Sequence, residues 1–264
     1  MKSCLKSAFV LLVLSSAWPI CASGINNPNV VLETNFGDIV VELYPEDAPI
    51  TVDNFLGYVN SGFYDGLVFH RVIENFMLQG GGYYFIHPYI YYAQPGAPII
   101  LESYNGLSNL RGTIAMARTS DPNSATSQFF INHMDNPELD RENAEDGFGY
   151  CVFGRVVSGI EVVDDIAQTN TIYVNSSMTH FPHNPTVDIY RAYVLPCKSP
   201  SCSDFSGDGE LSGKDFTIFA SNWLGNDCNS VNDFCAGTDL NYDGTSDFAD
   251  FALFSGNISA PTKQ

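Results

Sequence analysis

The stretch Phe69-His-Arg-Val-Ile-Glu-Asn-Phe-Met-Leu-Gln-Gly-Gly-Gly82 decides how this chain is read. Its alternation predicts a strand pair, because successive side chains of a strand point to opposite faces. His70, Val72 and Leu78 are expected on one face, and Phe69, Arg71, Met77 and Gln79 on the other. A permanently charged guanidinium, an amide and a soft apolar side chain then share one surface. A second run, Gly112-Thr-Ile-Ala-Met-Ala-Arg118 followed by Ser127-Gln-Phe-Phe-Ile-Asn132, adds backbone edge and another aromatic ring. Neither run sets a nucleophile beside a base, gathers metal ligands or forms a phosphate loop, so a hydrolase reading has no support. Arg, Gln, Phe and Met suit a reaction without covalent chemistry on the protein.

Outward from this centre, the first residues read as an export signal. Lys2 and Lys6 precede the apolar run Ala8 to Leu14, and small residues follow near Ala22-Ser23-Gly24. That run is too short to span a bilayer, so cleavage near residue 22 or 23 is expected. Cys21 lacks the small residue that should precede a lipidated cysteine. No later segment is apolar enough to span, and a periplasmic, extracellular or cell-surface location is expected. The net charge of −19 becomes −21 once Lys2 and Lys6 are removed. So acidic a surface argues against nucleic acid or anionic lipid as partner.

Val30–Thr34 and Gly37–Leu43 read as a hairpin. Pro49 sits just inside a helix start, with Val52, Phe55, Leu56 and Val59 on one face and Gly62 as its stop. Further strands are expected at Leu67–Ile73, Met77–Gly80, Ile114–Ala117, Phe129–Asn132, Tyr150–Val156 and Val187–Leu195, with a second helix at Ile160–Gln168. Cys151 falls within a strand pattern and is expected to be a buried free thiol. The composition changes at Pro196-Cys-Lys-Ser-Pro-Ser201, a linker. Cys197, Cys202, Cys228 and Cys235 point to two disulfides in an exported chain, with the pairing left open.

Beyond the linker two elements repeat. Asp204-x-Ser206-x-Asp208-Gly209-Glu210-x-Ser212-x-x-Asp215 is matched by Asp239-x-Asn241-x-Asp243-Gly244-Thr245-x-Asp247-x-x-Asp250. Side-chain oxygens at positions 1, 3, 5, 9 and 12, glycine at 6 and a carbonyl at 7 are what a 12-residue calcium loop needs. Phe216, Phe219 and Trp223, then Phe248, Phe251 and Phe254, follow at helical spacing. This duplicated loop and helix resembles a dockerin-type module. The resemblance implies Ca2+ at both loops and a cohesin-like docking partner.

Five segments also occur in the order of one family: Phe69-His-Arg-Val-Ile73, Phe76-Met-Leu-Gln-Gly-Gly81, Gly112-Thr-Ile-Ala-Met-Ala-Arg118, Ser127-Gln-Phe-Phe-Ile131 and Val152-Phe-Gly-Arg-Val156. Together they resemble the cyclophilin family of peptidyl-prolyl isomerases, in its bacterial style, over roughly residues 28 to 196. The resemblance implies a mainly β fold, an eight-stranded antiparallel barrel capped by two helices, beside the small helical dockerin/EF-hand-like module. With the readings above, the chain divides into a signal peptide (1–23), an isomerase domain (24–196), a linker (197–203), a calcium-binding module (204–258) and a tail (259–264). The cyclophilin resemblance implies Arg71, Phe76 and Gln79 as catalytic residues acting on proline-containing protein clients without a cofactor. Phe76, Met77, Phe130 and Leu139 are implied for the proline pocket, and Tyr150 for substrate binding. Gln79 and the main chain around Ala117-Arg118, with Gln128 as second support, are implied for holding the substrate backbone. Glu138 stands where many eukaryotic members carry tryptophan, and Tyr150 where they carry histidine. The aromatic loop Tyr83–Tyr92 is expected to pack on the barrel, the alternative being that it shapes the flanks of the substrate. A non-catalytic binder of proline segments, anchored by its acidic tail, is the alternative.

Overall fold

The computed structural model describes residues 27–176, 178–196, 203–206, 211–229 and 233–258. The export segment, Cys197, Cys202, Asp208, Glu210 and residues 259–264 lie outside them. The first hairpin pairs β1 (Asn29–Thr34) with β2 (Gly37–Leu43). It buries Val30, Leu32, Ile39, Val41 and Leu43. Helix α1 (Pro49–Asn60) starts with proline at its first turn and buries Val52, Phe55, Leu56 and Val59. No neighbouring side chain caps it. The carboxylate of the distant, buried Glu102 accepts from Ile50 N at 3.2 Å, Thr51 N at 2.8 Å and Thr51 Oγ1 at 2.7 Å. An anion on the free amides of a helix start is stabilising.

The main sheet adds β4 (Arg71–Ile73), β5 (Met77–Gly80), β8 (Thr113–Met116), β9 (Phe129–Asn132), β10 (Val152–Ser158) and β13 (Ile189–Leu195). Its order is β13-β1-β2-β10-β8-β9-β5-β4, antiparallel throughout. The sheet curls instead of closing strand to strand. Single backbone bonds carry the seam, from Gly66 N to Ile189 O (2.8 Å), Phe69 N to Val187 O (2.9 Å) and Val72 N to His180 O (2.9 Å). Phe55, Tyr64, Phe129 and Phe153 meet at its centre, with Phe55 5.2 to 5.5 Å from the other three rings. Helix α2 (Ile160–Ala167) buries Val163, Ile166 and Ala167.

Two expectations need correction. Leu67–Ile73 is not one strand: β3 (Leu67–Val68) leaves the main sheet and pairs with β6 (Tyr83–Ile86). The chain therefore steps out of the ladder at Phe69-His70, and Phe69 joins the central core with Val72 and Leu78, away from Arg71. The stretch 83–92 is also not a plain loop. It forms a hairpin of β6 with β7 (Tyr89–Tyr92). Tyr83, Phe85 and Ile90 pack on Val68, Met178 and Phe181, while Tyr89, Tyr91 and Tyr92 remain exposed.

In the tail, α3 (Gly213–Ser221) and α5 (Phe248–Ile258) enclose Phe219, Leu240 and Phe254, with Phe205 and Trp223 against them. Ser212 and Asp215 form a capping box on α3. Cys228 and Cys235 are joined by a disulfide. Phe234 and Tyr242 are buried with the barrel's core residues, and Asn60 Nδ2 of α1 donates to the Tyr242 carbonyl. Among the described residues no helix is long and apolar enough to cross a membrane.

Candidate active site

Strands β4 and β5 place Arg71 opposite Gln79 and Ile73 opposite Met77. Gln79 in turn faces Phe130 of β9. The pairing brings an arginine, a glutamine, a methionine and a phenylalanine from three strands onto one side of the sheet. A recess of about 180 Å³ opens there, lined by Arg71, Phe76, Met77, Gln79, Ala117, Arg118, Phe130, Leu139 and Tyr150. Nine of the ten site residues expected from the sequence thus meet in one place. The tenth, Gln128, stands just behind: its Oε1 accepts from Gln79 Nε2 at 2.9 Å. Its side chain lies so close to Gly82 that a Cβ there would come within 2.7 Å of it. Gly81, at φ +80°, would place a Cβ 2.6 Å from Ser127 O. The glycine run is what lets Gln128 approach.

Arg71 is half-buried and makes no ion pair among the described residues. Its guanidinium carbon lies 5.9 Å from the Phe76 ring centroid, and Nη1 is 3.8 Å from Met77 Sδ. Burial lowers its pKa from the ordinary value, but arginine remains charged in proteins. A cation held without a counter-ion, on an apolar wall and open on one side, is available to a bound molecule.

A buried polar frame that the sequence did not reveal holds the wall in place. Asn136 Nδ2 donates to Phe76 O at 2.9 Å, and His133 N donates to the same carbonyl at 2.9 Å. Asp140 accepts from Ser108 Oγ, from Asn109 N at 2.7 Å and from Asn109 Nδ2 at 2.9 Å. Between Asn136 and Asp140 runs the short turn Pro137–Leu139 that delivers Leu139 to the recess. These partners are some thirty or more residues apart, and no periodicity marks them.

His70 is buried against Tyr83, ring centroids 4.7 Å apart, and does not line the recess. Burial, with a smaller push from Arg71, lowers its pKa to about 4. Cys151 is a buried free thiol, as expected, and burial raises its pKa to about 12. On the main chain expected to hold substrate, the Ala117 amide donates to Gln128 O at 2.9 Å.

The twelve expected calcium ligands fare differently. Asp208 and Glu210 lie outside the described residues. Among the described residues no group of three or more His, Cys, Asp or Glu side chains gathers to hold a metal. Asp215 accepts from Ser206 N and Ser212 N, and Ser206 Oγ donates to Asp204. In the second loop Asp239 accepts from Asp243 N and Gly244 N, and Asp250 from Leu240 N, Asn241 N and Asp247 N. Asp243 accepts from Asn241 Nδ2 and from Thr245 N. Asp239 and Asp250 are nonetheless buried, and burial raises Asp239 to about 7 and Asp250 above its usual range.

Residues 29–194 match the family described as cyclophilin type peptidyl-prolyl cis-trans isomerase/CLD. The chain belongs to this family of isomerases. It is 52% identical over 169 residues to peptidyl-prolyl cis-trans isomerase cyp18 of Streptomyces antibioticus, covering 63% of this chain and 98% of that one. It is 50% identical over 152 residues to a peptidyl-prolyl cis-trans isomerase of Acinetobacter baylyi, covering 58% and 78%. The fold is similar to the crystal structure of a Cryptosporidium parvum cyclophilin type peptidyl-prolyl cis-trans isomerase, with a TM-score of 0.52 at 26% identity, covering 65% of this chain and 99% of that one.

Proposed function

We propose that this isomerase turns X–Pro bonds of protein clients through Arg71, and that the observation carrying this reading is its guanidinium, without an ion pair among the described residues, in the recess beside Phe76, Met77 and Phe130. Rotation about a peptide bond costs about 18–20 kcal/mol because amide resonance is lost. In the twisted state the proline nitrogen regains a lone pair, which Arg71 meets as donor. That bond exists only in the twisted state, the condition for acceleration rather than mere binding. At about 1.4 kcal/mol per tenfold of rate, one charge-assisted hydrogen bond in a dry recess supplies about two to three decades.

Phe76, Met77, Phe130, Leu139 and Tyr150 take the proline ring. Gln79, held by Gln128, fixes the substrate backbone, and the Ala117 carbonyl, just past the end of β8, meets a substrate N–H. No cofactor takes part. A protease-coupled assay on Ala-Pro peptides tests this: wild type should accelerate the slow isomerisation phase, and no acceleration would refute it.

The tail is proposed to bind calcium and to attach the enzyme. The donor chemistry supports the metal. Asp239, Asn241 and Asp243 supply hard oxygens at positions 1, 3 and 5, and Gly244 turns the loop at φ +92°. Asp250 closes it at position 12, and buried carboxylates call for a counter-cation. In the first loop the matching ligands are Asp204, Ser206, Asp208, the Glu210 carbonyl, Ser212 and Asp215. Phe216 and Phe248 are exposed on α3 and α5 and offer an apolar face to a cohesin-like receptor. Export through the N-terminal segment puts both functions in a calcium-rich setting. Titration calorimetry with calcium, then with a cohesin module with and without chelator, tests the two parts separately.

A further inference from the structure

The Arg118 side chain does more than its main-chain position requires. It is only 2% exposed despite its charge, and a buried charge is costly unless paired. Every edge is engaged: Nε donates to Gly149 O at 2.9 Å, Nη1 to Thr119 O at 2.9 Å and Nη2 to Asp146 Oδ2. The flat face of the guanidinium covers Tyr150, 4.7 Å from its ring centroid. Asp146 fastens the same turn from the other side, its Oδ1 accepting from Phe148 N at 2.9 Å and Gly149 N at 3.2 Å. Between them Gly149, at φ +63°, lies so close to Arg141 that a Cβ would come within 2.6 Å of its nitrogen. The turn 146–150 is therefore tied at four points around one arginine.

What this turn presents is a wall of the recess. Tyr150 packs edge-on to Phe130, centroids 5.6 Å apart, and its N–H donates to Leu139 O at 2.9 Å. Phe130, Leu139 and Tyr150 all line the cavity. We infer that Arg118 and Asp146 are positioning residues: they lock Tyr150, and through it Leu139, against Phe130 and so set the width of the slot that takes the proline ring. The inference rests on the reading that this recess is the proline site. Arginine is required rather than lysine, because only a planar fork can stack on the ring while bonding a carbonyl and a carboxylate at its edges.

A slot that loosens weakens ground state and twisted state alike. The loss should therefore fall on affinity, with the on-enzyme rate nearly unchanged. Exchange NMR on an Ala-Pro peptide separates the two, applied to the full chain, R118K, D146N and R71A, with a melting curve for each. The expected result is peptide affinity weakened about tenfold in R118K and a few-fold in D146N, with on-enzyme exchange and melting temperature near wild type. Wild-type affinity in both variants would overturn the inference. So would a loss that only tracks a fall in folded fraction. If R71A turns over like wild type, the reading of the recess itself fails. If R71A is impaired while R118K and D146N bind normally, only the positioning role falls.

Discussion

Arg71 and Gln79 stand directly opposite each other across β4 and β5, and Gln79 reaches on to Gln128 at 2.9 Å. The charge and the amide thus share a face but have separate tasks, since Arg71 has no bond to the amide pair. Gln79→Ala should therefore weaken substrate binding about tenfold and leave the rotation step within a few-fold of wild type. A collapse of the rotation rate, with affinity intact, would show that Gln79 acts on the twisted state instead.

The buried His70 links stability to acid. Its folded pKa of about 4 lies below the ordinary 6.5, so the unfolded chain takes up a proton that the folded one refuses. The His70 contribution to stability is fully present above pH 6.5 and falls as the pH drops towards 4, by about 3 kcal/mol in all. Urea melts of wild type and His70→Asn across this range should converge as the pH falls. A constant difference between the two would contradict the assignment.

Glu138 is exposed one residue before Leu139, at the rim of the recess. It offers a charge where many cyclophilins offer an indole, so cyclosporin should bind weakly. Glu138→Trp should tighten it by about 2 kcal/mol, the scale of an interface hot spot. Nanomolar inhibition of the wild type would refute this.

Calcium should raise the melting transition of the tail. At a hundredfold excess over Kd the gain is about 2.7 kcal/mol. Because Tyr242, inside the second loop, is buried with the barrel's core and its carbonyl is held by Asn60, the barrel transition should follow by a smaller amount, and Tyr242→Ala should uncouple the two. If calorimetry shows that chelator moves neither transition, the loops are not calcium sites.

Much of the barrel was legible because its strands bury alternate residues and the site residues sit in those same strands: Arg71, Met77, Gln79 and Phe130 share a face through register alone. The hairpin Tyr83–Tyr92 was not, since tyrosine occupies both faces of β6 and β7 and the alternation disappears. Phe69 was placed wrongly because two residues out of the ladder reset the parity of the strand. The frame of Glu102, Asn136 and Asp140, and the Arg118 side chain at the back of the slot, depend on partners far apart in sequence. Such pairs leave no local pattern. The tail's loops and helices could be read from their repeat, but the pairing of Cys228 with Cys235 could not.

The most direct test of the whole account is the turnover of Arg71→Ala on an Ala-Pro peptide, measured on protein whose melting curve matches wild type. The account predicts a loss of about two decades or more, the value of one charge-assisted bond to the twisted nitrogen. A folded variant that isomerises the peptide as fast as wild type would contradict it.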